Sequence, residues 1–123
     1  MRMEFPSLAR HAQQLPLTRA AMQWFIGHYL RSPADKADWR ASPLRAASLQ
    51  GLPPALIVTA GFDPLCDEGQ AYAQALSRAG VPVVHELFAG QVHGFLTMGR
   101  IVADSQRLIA MAAVALRRAF AGS

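Results

Sequence analysis

Residues 55–88, ALIVTAGFDPLCDEGQAYAQALSRAGVPVVHELF, decide the fold that the sequence predicts. Ala55–Ala60 is a short apolar run with β-branched residues and a glycine after it, which is typical of a strand covered on both faces in a parallel sheet. Asp67–Ala79 begins with acidic residues, repeats apolar residues at helical spacing and stops at a glycine, so it predicts a helix. Val83–Phe88 predicts a second strand. Strand, helix and strand in this order predict a parallel β-α-β unit with a right-handed crossover.

The segments on either side of this unit predict flanking helices. Leu17–Leu30 predicts an amphipathic helix behind the N-cap Thr18, with apolar positions Ala21, Met22, Phe25, Ile26, Tyr29 and Leu30. Arg31–Pro54 contains four prolines, which predict turns and one-turn helical pieces. Ala103–Phe120 predicts a closing helix that packs on the sheet through Leu108, Ile109, Ala112, Ala113, Leu116 and Phe120. The predicted fold class is therefore α/β.

The size of the chain predicts one domain. It has 123 residues, of which 52% are hydrophobic. A compact chain of this length buries roughly two-thirds of its unfolded surface, which is enough for a core without disulfides or metal ions. We expect a single domain over residues 1–123, in which residues 1–54 form the first helix and the connector and residues 55–123 form a β-α-β-α core.

Composition excludes several functional classes. No apolar run approaches the ~18 residues of a membrane span, and the N-terminus lacks the apolar core of a secretion signal, so we expect a cytoplasmic protein without membrane contact. One cysteine, Cys66, cannot form an internal disulfide or a multi-thiolate metal site, and we expect no metal and no cofactor. The net charge is +4, but eleven arginines are scattered and only Arg117 and Arg118 are adjacent, which argues against nucleic-acid binding.

Two polar residues follow the predicted strands at the points where sites form in parallel sheets. Asp63 comes just after the first strand and His93 just after the second, and loops that leave the same edge of adjacent strands can bring the two side chains together. A carboxylate that accepts from one imidazole nitrogen fixes the tautomer and leaves the other nitrogen as a general base. Pro64 would stiffen the turn that carries the carboxylate, and Gly94 would allow the backbone to pass close to the imidazole.

The residues alone leave other interpretations open. An Asp before Pro is often only a turn residue, and a histidine in a loop is often only a surface residue. Cys66 could be a thiolate partner of His93, although a nearby carboxylate disfavours the thiolate. No serine lies in a Gly-x-Ser-x-Gly elbow, and no glycine-rich oxyanion loop is present. The other histidines, which have no carboxylate placed by the same logic, are interpreted as structural or surface residues: His11, His28 and His85.

Several motifs resemble one known family in order and spacing. GLPPALIVTAGFDPLCDEGQAYAQALSRAGVPV (Gly51–Val83) and FAGQVHGF (Phe88–Phe95), together with PLTRAAMQWFIGHYL and RASPLRAASLQGLPP upstream, resemble the C-terminal part of the hormone-sensitive-lipase-like esterases of the α/β-hydrolase fold. Members are Ser-His-Asp carboxylesterases, so the resemblance implies that Asp63 of the DPL motif is the acid and His93 of the HGF motif is the base. Members usually carry arginine where this chain has Cys66.

The resemblance also implies what these residues lack. The family's oxyanion loop and nucleophile elbow belong to an N-terminal part that does not occur in these residues, and residues 1–54 correspond to the end of the cap region. We therefore expect no esterase activity from the chain alone, and hydrolysis of short-chain acyl esters only with a complementary N-terminal half. In the family, another strand lies beside the strand at Ala55–Ala60, so we expect dimerisation or pairing with that half. The alternative function is a non-catalytic association module.

Overall fold

The computed structural model of the chain describes residues 5–13 and 16–121. They divide into two compact units, one ending at His93 and one beginning at Gly94. The first unit contains helices α1 (Pro6–Arg10), α2 (Arg19–Tyr29) and α3 (Cys66–Arg78) and strands β1 (Ala55–Phe62) and β2 (Val83–Val92). The second contains helix α4 (Ala103–Ala121). The expected single domain, with its division after Pro54, stays a prediction.

The predicted β-α-β unit is present. β1 and β2 pair in parallel from Ala55 opposite Val83 to Ala60 opposite Phe88. α3 connects them along the chain and packs on both strands. The α/β class predicted from residues 55–88 is confirmed. Thr59 and Ala60 are buried, whereas residues 55–58 are only half-buried, because α3 is the one helix of the described first unit that packs extensively on the strands.

Both strands are longer than predicted because of an irregularity in their pairing. β1 continues to Phe62 instead of ending at Ala60, and β2 continues to Val92 instead of ending at Phe88. The register shifts after Ala60, and Phe62 then lies opposite Val92. Small and polar residues have weak strand propensity, so Ala-Gly-Gln at 89–91 gave no signal for a strand. Pairing with β1 extends β2 through them.

α3 ends in a glycine cap, but its own N-cap residue does not cap its start. At its C-terminus Gly80 adopts a left-handed φ of +80°. The N–H of Gly80 donates to the carbonyl oxygen of Ser77, and the N–H of Val81 donates to the carbonyl oxygen of Leu76 over 3.1 Å. This is the Schellman arrangement that satisfies the last carbonyl groups of a helix. At the N-terminus, Leu65 occupies the N-cap position and has no side chain that can cap the helix. The observed bounds are each one residue earlier than predicted.

α2 begins as predicted but buries a narrower face. Thr18 is the N-cap, and its Oγ1 accepts from the N–H of Ala21 over 3.1 Å. Met22 and Ile26 are buried. Phe25 and Tyr29, which were predicted to share that face, are exposed by 56% and 69%. These two residues of the apolar stripe are left uncovered, because helical spacing marks an apolar stripe but does not determine how much of it is covered.

A small apolar core joins the N-terminal helices to the turn after β1. Leu8 of α1, Leu17, which precedes α2, and Met22 of α2 are buried together, and Leu65 packs against them. Leu65 lies two residues after Asp63. The N-terminal helices therefore contact the same turn that carries the predicted acid.

The connector matches its prediction, whereas α4 buries only part of its predicted apolar stripe. The connector contains the short helical pieces that its prolines predicted, as 3-10 helices at Pro33–Ala37 and Pro43–Arg45. In the second unit, α4 buries Leu108, but the rest of the predicted stripe is not buried: Ile109, Leu116 and Phe120 are exposed. The packing of α4 on the sheet stays a prediction. Among the described residues no helix is long and apolar enough to cross a bilayer.

Candidate active site

The two predicted site residues meet at one edge of the sheet. Asp63 directly follows β1 and His93 directly follows β2. Because the strands are parallel, both residues leave the sheet at the same edge. Asp63 Oδ2 lies 2.8 Å from His93 Nδ1, which is within hydrogen-bond distance. The aspartate side chain is 11% exposed and the imidazole 40% exposed, so the pair is partly sheltered on the carboxylate side and open to solvent on the histidine side.

The turn after β1 orients the carboxylate of Asp63. Its second oxygen, Oδ1, accepts from the N–H of Leu65 over 2.8 Å. Its backbone carbonyl accepts from the N–H of Cys66 over 3.0 Å. An aspartate that accepts a backbone N–H two residues later forms an Asx turn, and the intervening Pro64 restricts the backbone of that turn. One carboxylate oxygen is therefore held by the backbone while the other faces the imidazole.

The hydrogen bond determines the chemistry that His93 can perform. An ionised carboxylate only accepts hydrogen bonds, so Nδ1 carries the hydrogen and Nε2 has the free lone pair of the neutral ring. Gly94 follows with a left-handed φ of +72°, a conformation that other residues rarely adopt, and the chain turns there immediately after the histidine. An imidazole in this state can take a proton through Nε2 and, as an imidazolium, is stabilised by Asp63.

A cavity lies beside the pair. Its volume is about 360 Å³, and its lining includes Asp63 and His93. Most of the other lining side chains are apolar, among them Leu44, Val58 and Tyr72. Apolar walls with a few convergent polar groups are typical of small-molecule sites. Sequence reasoning missed these lining residues, because they come from the connector, β1 and α3 and no single motif unites them. A larger cavity of about 520 Å³ lies against α2 and is lined by neither site residue.

Cys66 lines the same cavity, but its environment opposes a nucleophilic role. The residue is buried, and burial raises the pKa of its thiol, with the negative charge of Asp67 as the second cause. Gln70 Nε2 donates to Sγ over 3.4 Å. Since the thiolate is the reactive form of cysteine, a raised pKa makes Cys66 less reactive at neutral pH. The structure thus favours the neutral thiol, and it adds burial to the carboxylate effect expected from the sequence.

We predict that iodoacetamide alkylates Cys66 in the native chain at least about ten-fold more slowly than in the urea-unfolded chain, because burial removes both access and thiolate. The chain has a single cysteine, so mass spectrometry of the intact protein measures this reaction without ambiguity. Equal rates in the two states would contradict the buried, neutral thiol and would restore Cys66 as a candidate nucleophile.

The other histidines have different surroundings. His85 Nε2 lies 2.9 Å from Thr59 Oγ1, across the two strands. His28 Nδ1 lies 2.9 Å from the carbonyl oxygen of Trp24 in its own helix. The ring of His11 makes an edge contact with Phe62. The described part of the chain contains no group of three or more His, Cys, Asp or Glu side chains that could hold a metal ion.

Comparisons with known proteins show which proteins the chain is similar to. The profile of a family described as alpha/beta hydrolase fold matches residues 2–97. The carboxylic ester hydrolase LipN of Mycobacterium tuberculosis is 53% identical over 67% of this chain and 22% of its own length. An ethyl acetate hydrolase of Pseudomonas putida is 36% identical over 92% of this chain and 36% of that enzyme.

Solved structures give the same result. A hyperthermophilic esterase from the archaeon Pyrobaculum calidifontis matches with a TM-score of 0.89 and 34% identity, over 93% of this chain and 38% of that chain. A thermostable carboxylesterase from a metagenomic library, EstE1, matches with a TM-score of 0.88 and 40% identity, over 93% of this chain and 39% of that chain. The chain spans between 22% and 39% of the length of these four relatives.

Proposed function

The chain belongs to the α/β-hydrolase fold family, as a carboxylesterase-family segment, and from this premise we propose that it supplies the acid and the base of a Ser-His-Asp ester-hydrolase site. Asp63 is the acid and His93 the base. The serine and the oxyanion donors come from a complementary part of the fold, because no serine in these 123 residues lies in a Gly-x-Ser-x-Gly elbow. The 2.8 Å contact between Asp63 Oδ2 and His93 Nδ1 carries this proposal.

The proposed reaction has two halves that use the same proton carrier. His93 Nε2 takes the proton of the serine hydroxyl while the serine oxygen attacks the ester carbonyl. Asp63 keeps the other proton on Nδ1 and stabilises the imidazolium. The imidazolium then protonates the leaving alcohol as the ester C–O bond breaks, which leaves an acyl-serine. Water then attacks the acyl carbonyl while His93 Nε2 takes its proton, and the imidazolium returns a proton to the serine oxygen as the acyl–serine bond breaks, which releases the carboxylic acid and restores the serine and the neutral histidine.

Short-chain acyl esters are the proposed substrates. The cavity of about 360 Å³ beside His93 is mostly apolar, which suits a small acyl or alkyl group better than a charged one. One similar protein is named as an ethyl acetate hydrolase, which agrees with this substrate class.

A chimera tests the proposal. The chain replaces the matching segment of the Pseudomonas putida ethyl acetate hydrolase, over the 113 residues that the two proteins share. We expect the chimera to hydrolyse ethyl acetate and p-nitrophenyl acetate, and the isolated chain to leave both unchanged. A chimera that folds cooperatively but shows no hydrolysis above buffer would contradict the proposal. Activity of the isolated chain that His93→Ala removes would show that a nucleophile lies within it.

A second candidate function is that of an association module without catalysis. β1 has no strand partner on its outer edge among the described residues, and Val84 and Leu87 of β2 are exposed. Unpaired strand edges and exposed apolar residues are typical of surfaces that bind another chain. Light scattering tests this second candidate: a monodisperse monomer that melts cooperatively would contradict the association module.

A further inference from the structure

We propose that Ser7 is a positioning residue for the acid of this site. The inference rests on the proposed function, because it assigns Ser7 a role through Asp63 and His93. Ser7 lies in α1, is fully buried, and belongs to neither the β-α-β unit nor the pair itself. Its hydroxyl and its backbone N–H make three hydrogen bonds with the segment Pro64–Asp67, which connects Asp63 to α3.

The hydroxyl of Ser7 bonds to both ends of this short segment. Oγ donates to the carbonyl oxygen of Pro64 over 2.8 Å, in a buried hydrogen bond. The same oxygen accepts from the N–H of Asp67 over 3.2 Å. Asp67 is the second residue of α3, and the N–H groups of a helix's first turn need acceptors from outside the helix. Leu65, at the N-cap position, has no side-chain acceptor, so Ser7 performs from a distant helix the task of an N-cap side chain.

A second set of contacts fastens α1 to the same place. The backbone N–H of Ser7 donates to Asp67 Oδ2 over 2.7 Å. Arg10 Nη2, one turn later in α1, lies 3.2 Å from Asp67 Oδ1. The Arg10 side chain is 60% exposed, so we expect this surface ion pair to add little, whereas the bonds of Ser7 are sheltered. Leu8, next to Ser7, packs in the core that includes Leu65.

These contacts hold the turn that orients the acid. Asp63 accepts from the N–H of Leu65 through Oδ1 and faces His93 through Oδ2, so the position of the 64–65 backbone determines where Oδ2 lies. Pro64 lies between Asp63 and Leu65, and its carbonyl oxygen accepts the hydrogen bond from Ser7. Removal of the Ser7 hydroxyl leaves this buried carbonyl and the Asp67 N–H without that partner, and the turn can relax away from the imidazole.

The tautomer of His93 reports directly on the contact with Asp63, and its measurement requires no esterase activity. In the isolated chain, ring ¹⁵N shifts of labelled histidine report which nitrogen carries the hydrogen of the neutral ring. We expect Nδ1–H in the wild-type chain, its loss in Asp63→Asn, and in Ser7→Ala a shift part of the way toward the Asp63→Asn values. In the active chimera, we expect Ser7→Ala to lower kcat about ten-fold with little change in KM, because a displaced acid affects the chemical step more than binding.

Ser42→Ala is the matched control. Ser42 is also buried, and its Oγ donates to the carbonyl oxygen of Lys36 over the same 2.8 Å, but within the connector. We expect Ser42→Ala to lower stability by a similar amount and to leave the His93 ring signals unchanged. A comparable change of the His93 ring signals in both variants would show that any loss of stability produces it, and would overturn the proposal.

Wild-type ring signals in a folded Ser7→Ala chain would also overturn it. If Ser7→Ala does not fold, Asp67→Asn decides the question, because it keeps the size of the side chain and weakens the bond from the Ser7 N–H. Unchanged His93 signals in that variant would then reject the role of Ser7. An inactive chimera would reject the proposed function but would leave the tautomer result as it stands, so the two failures are distinguishable.

Discussion

His93→Ala in the active chimera is expected to lower kcat by about four to six orders of magnitude, because no other group can take the serine proton at that position. KM is expected to change little, since His93 acts on the proton and not on the binding of the acyl group. Asp63→Asn is expected to cost about four orders of magnitude, because the imidazole then loses the partner that holds its hydrogen on Nδ1. Initial rates of p-nitrophenyl acetate hydrolysis over a range of substrate concentrations measure both effects.

His85→Ala is the matched control for this series. His85 lies within β2, the strand that His93 follows, but it faces Thr59 of the neighbouring strand instead of a carboxylate. We expect its replacement to keep kcat within a few-fold of the unmutated chimera. If His85→Ala and His93→Ala lost activity equally, loss of fold would explain both results and His93 would have no special role. Retention of activity in His93→Ala would exclude it as the base.

Gly61→Ala is expected to reduce the free energy of unfolding of the chain by about 3 kcal/mol or more. A Cβ at Gly61 would lie 2.1 Å from the carbonyl oxygen of Ala89 and 2.7 Å from its carbonyl carbon. These are backbone atoms of the paired strand, so they cannot move aside as the end of a long side chain can. The two strands must separate where their register shifts, close to the residues that lead to Asp63 and His93. Urea unfolding followed by circular dichroism measures the loss.

Gly90→Ala provides the comparison for Gly61→Ala. Gly90 is also a strand glycine and lies next to Ala89, but a Cβ there meets nothing within 4 Å. We expect its replacement to change the free energy of unfolding by less than about 1 kcal/mol. Equal effects of the two substitutions would show that the close approach of β1 and β2 at Gly61 is not what requires glycine.

Local sequence signals were sufficient to predict β1 and the start of α2, and one topological rule was sufficient to predict that Asp63 and His93 lie together. The β-branched run at Ala55–Ala60 and the hydroxyl of Thr18 act within a few residues, so the sequence predicts the strand and the start of the helix directly. The placement of Asp63 and His93 followed from one topological rule, that parallel neighbours end at the same edge of a sheet. The structure brings the two side chains into contact, whereas their catalytic role stays a prediction.

Features that depend on distant residues were not predictable in this way. The extension of β2 to Val92 requires the partner strand, because residues 89–91 have no strand signal of their own. The exposure of Phe25 and Phe120 depends on what packs against them, which helical spacing does not encode. Ser7 gave no signal as a serine inside a five-residue helix. An indirect hint was the apolar Leu65 at the start of α3, where a capping side chain is expected.

The hydrogen bonds between Ser7 and Asp67 span 60 positions of the chain, and this separation has a consequence for how the protein is made. At ~5–20 residues per second on the ribosome, Asp67 is synthesised several seconds after Ser7. α1 has only five residues, which is too few for a stable helix in water. We therefore expect it to remain unfolded until α3 has been synthesised. Strand pairing requires a closure of only 28 positions, from Ala55 to Val83. Because shorter loops close at a lower entropic cost, we expect the turn that carries Asp63 to reach its final shape in a late docking step, after the two strands have paired.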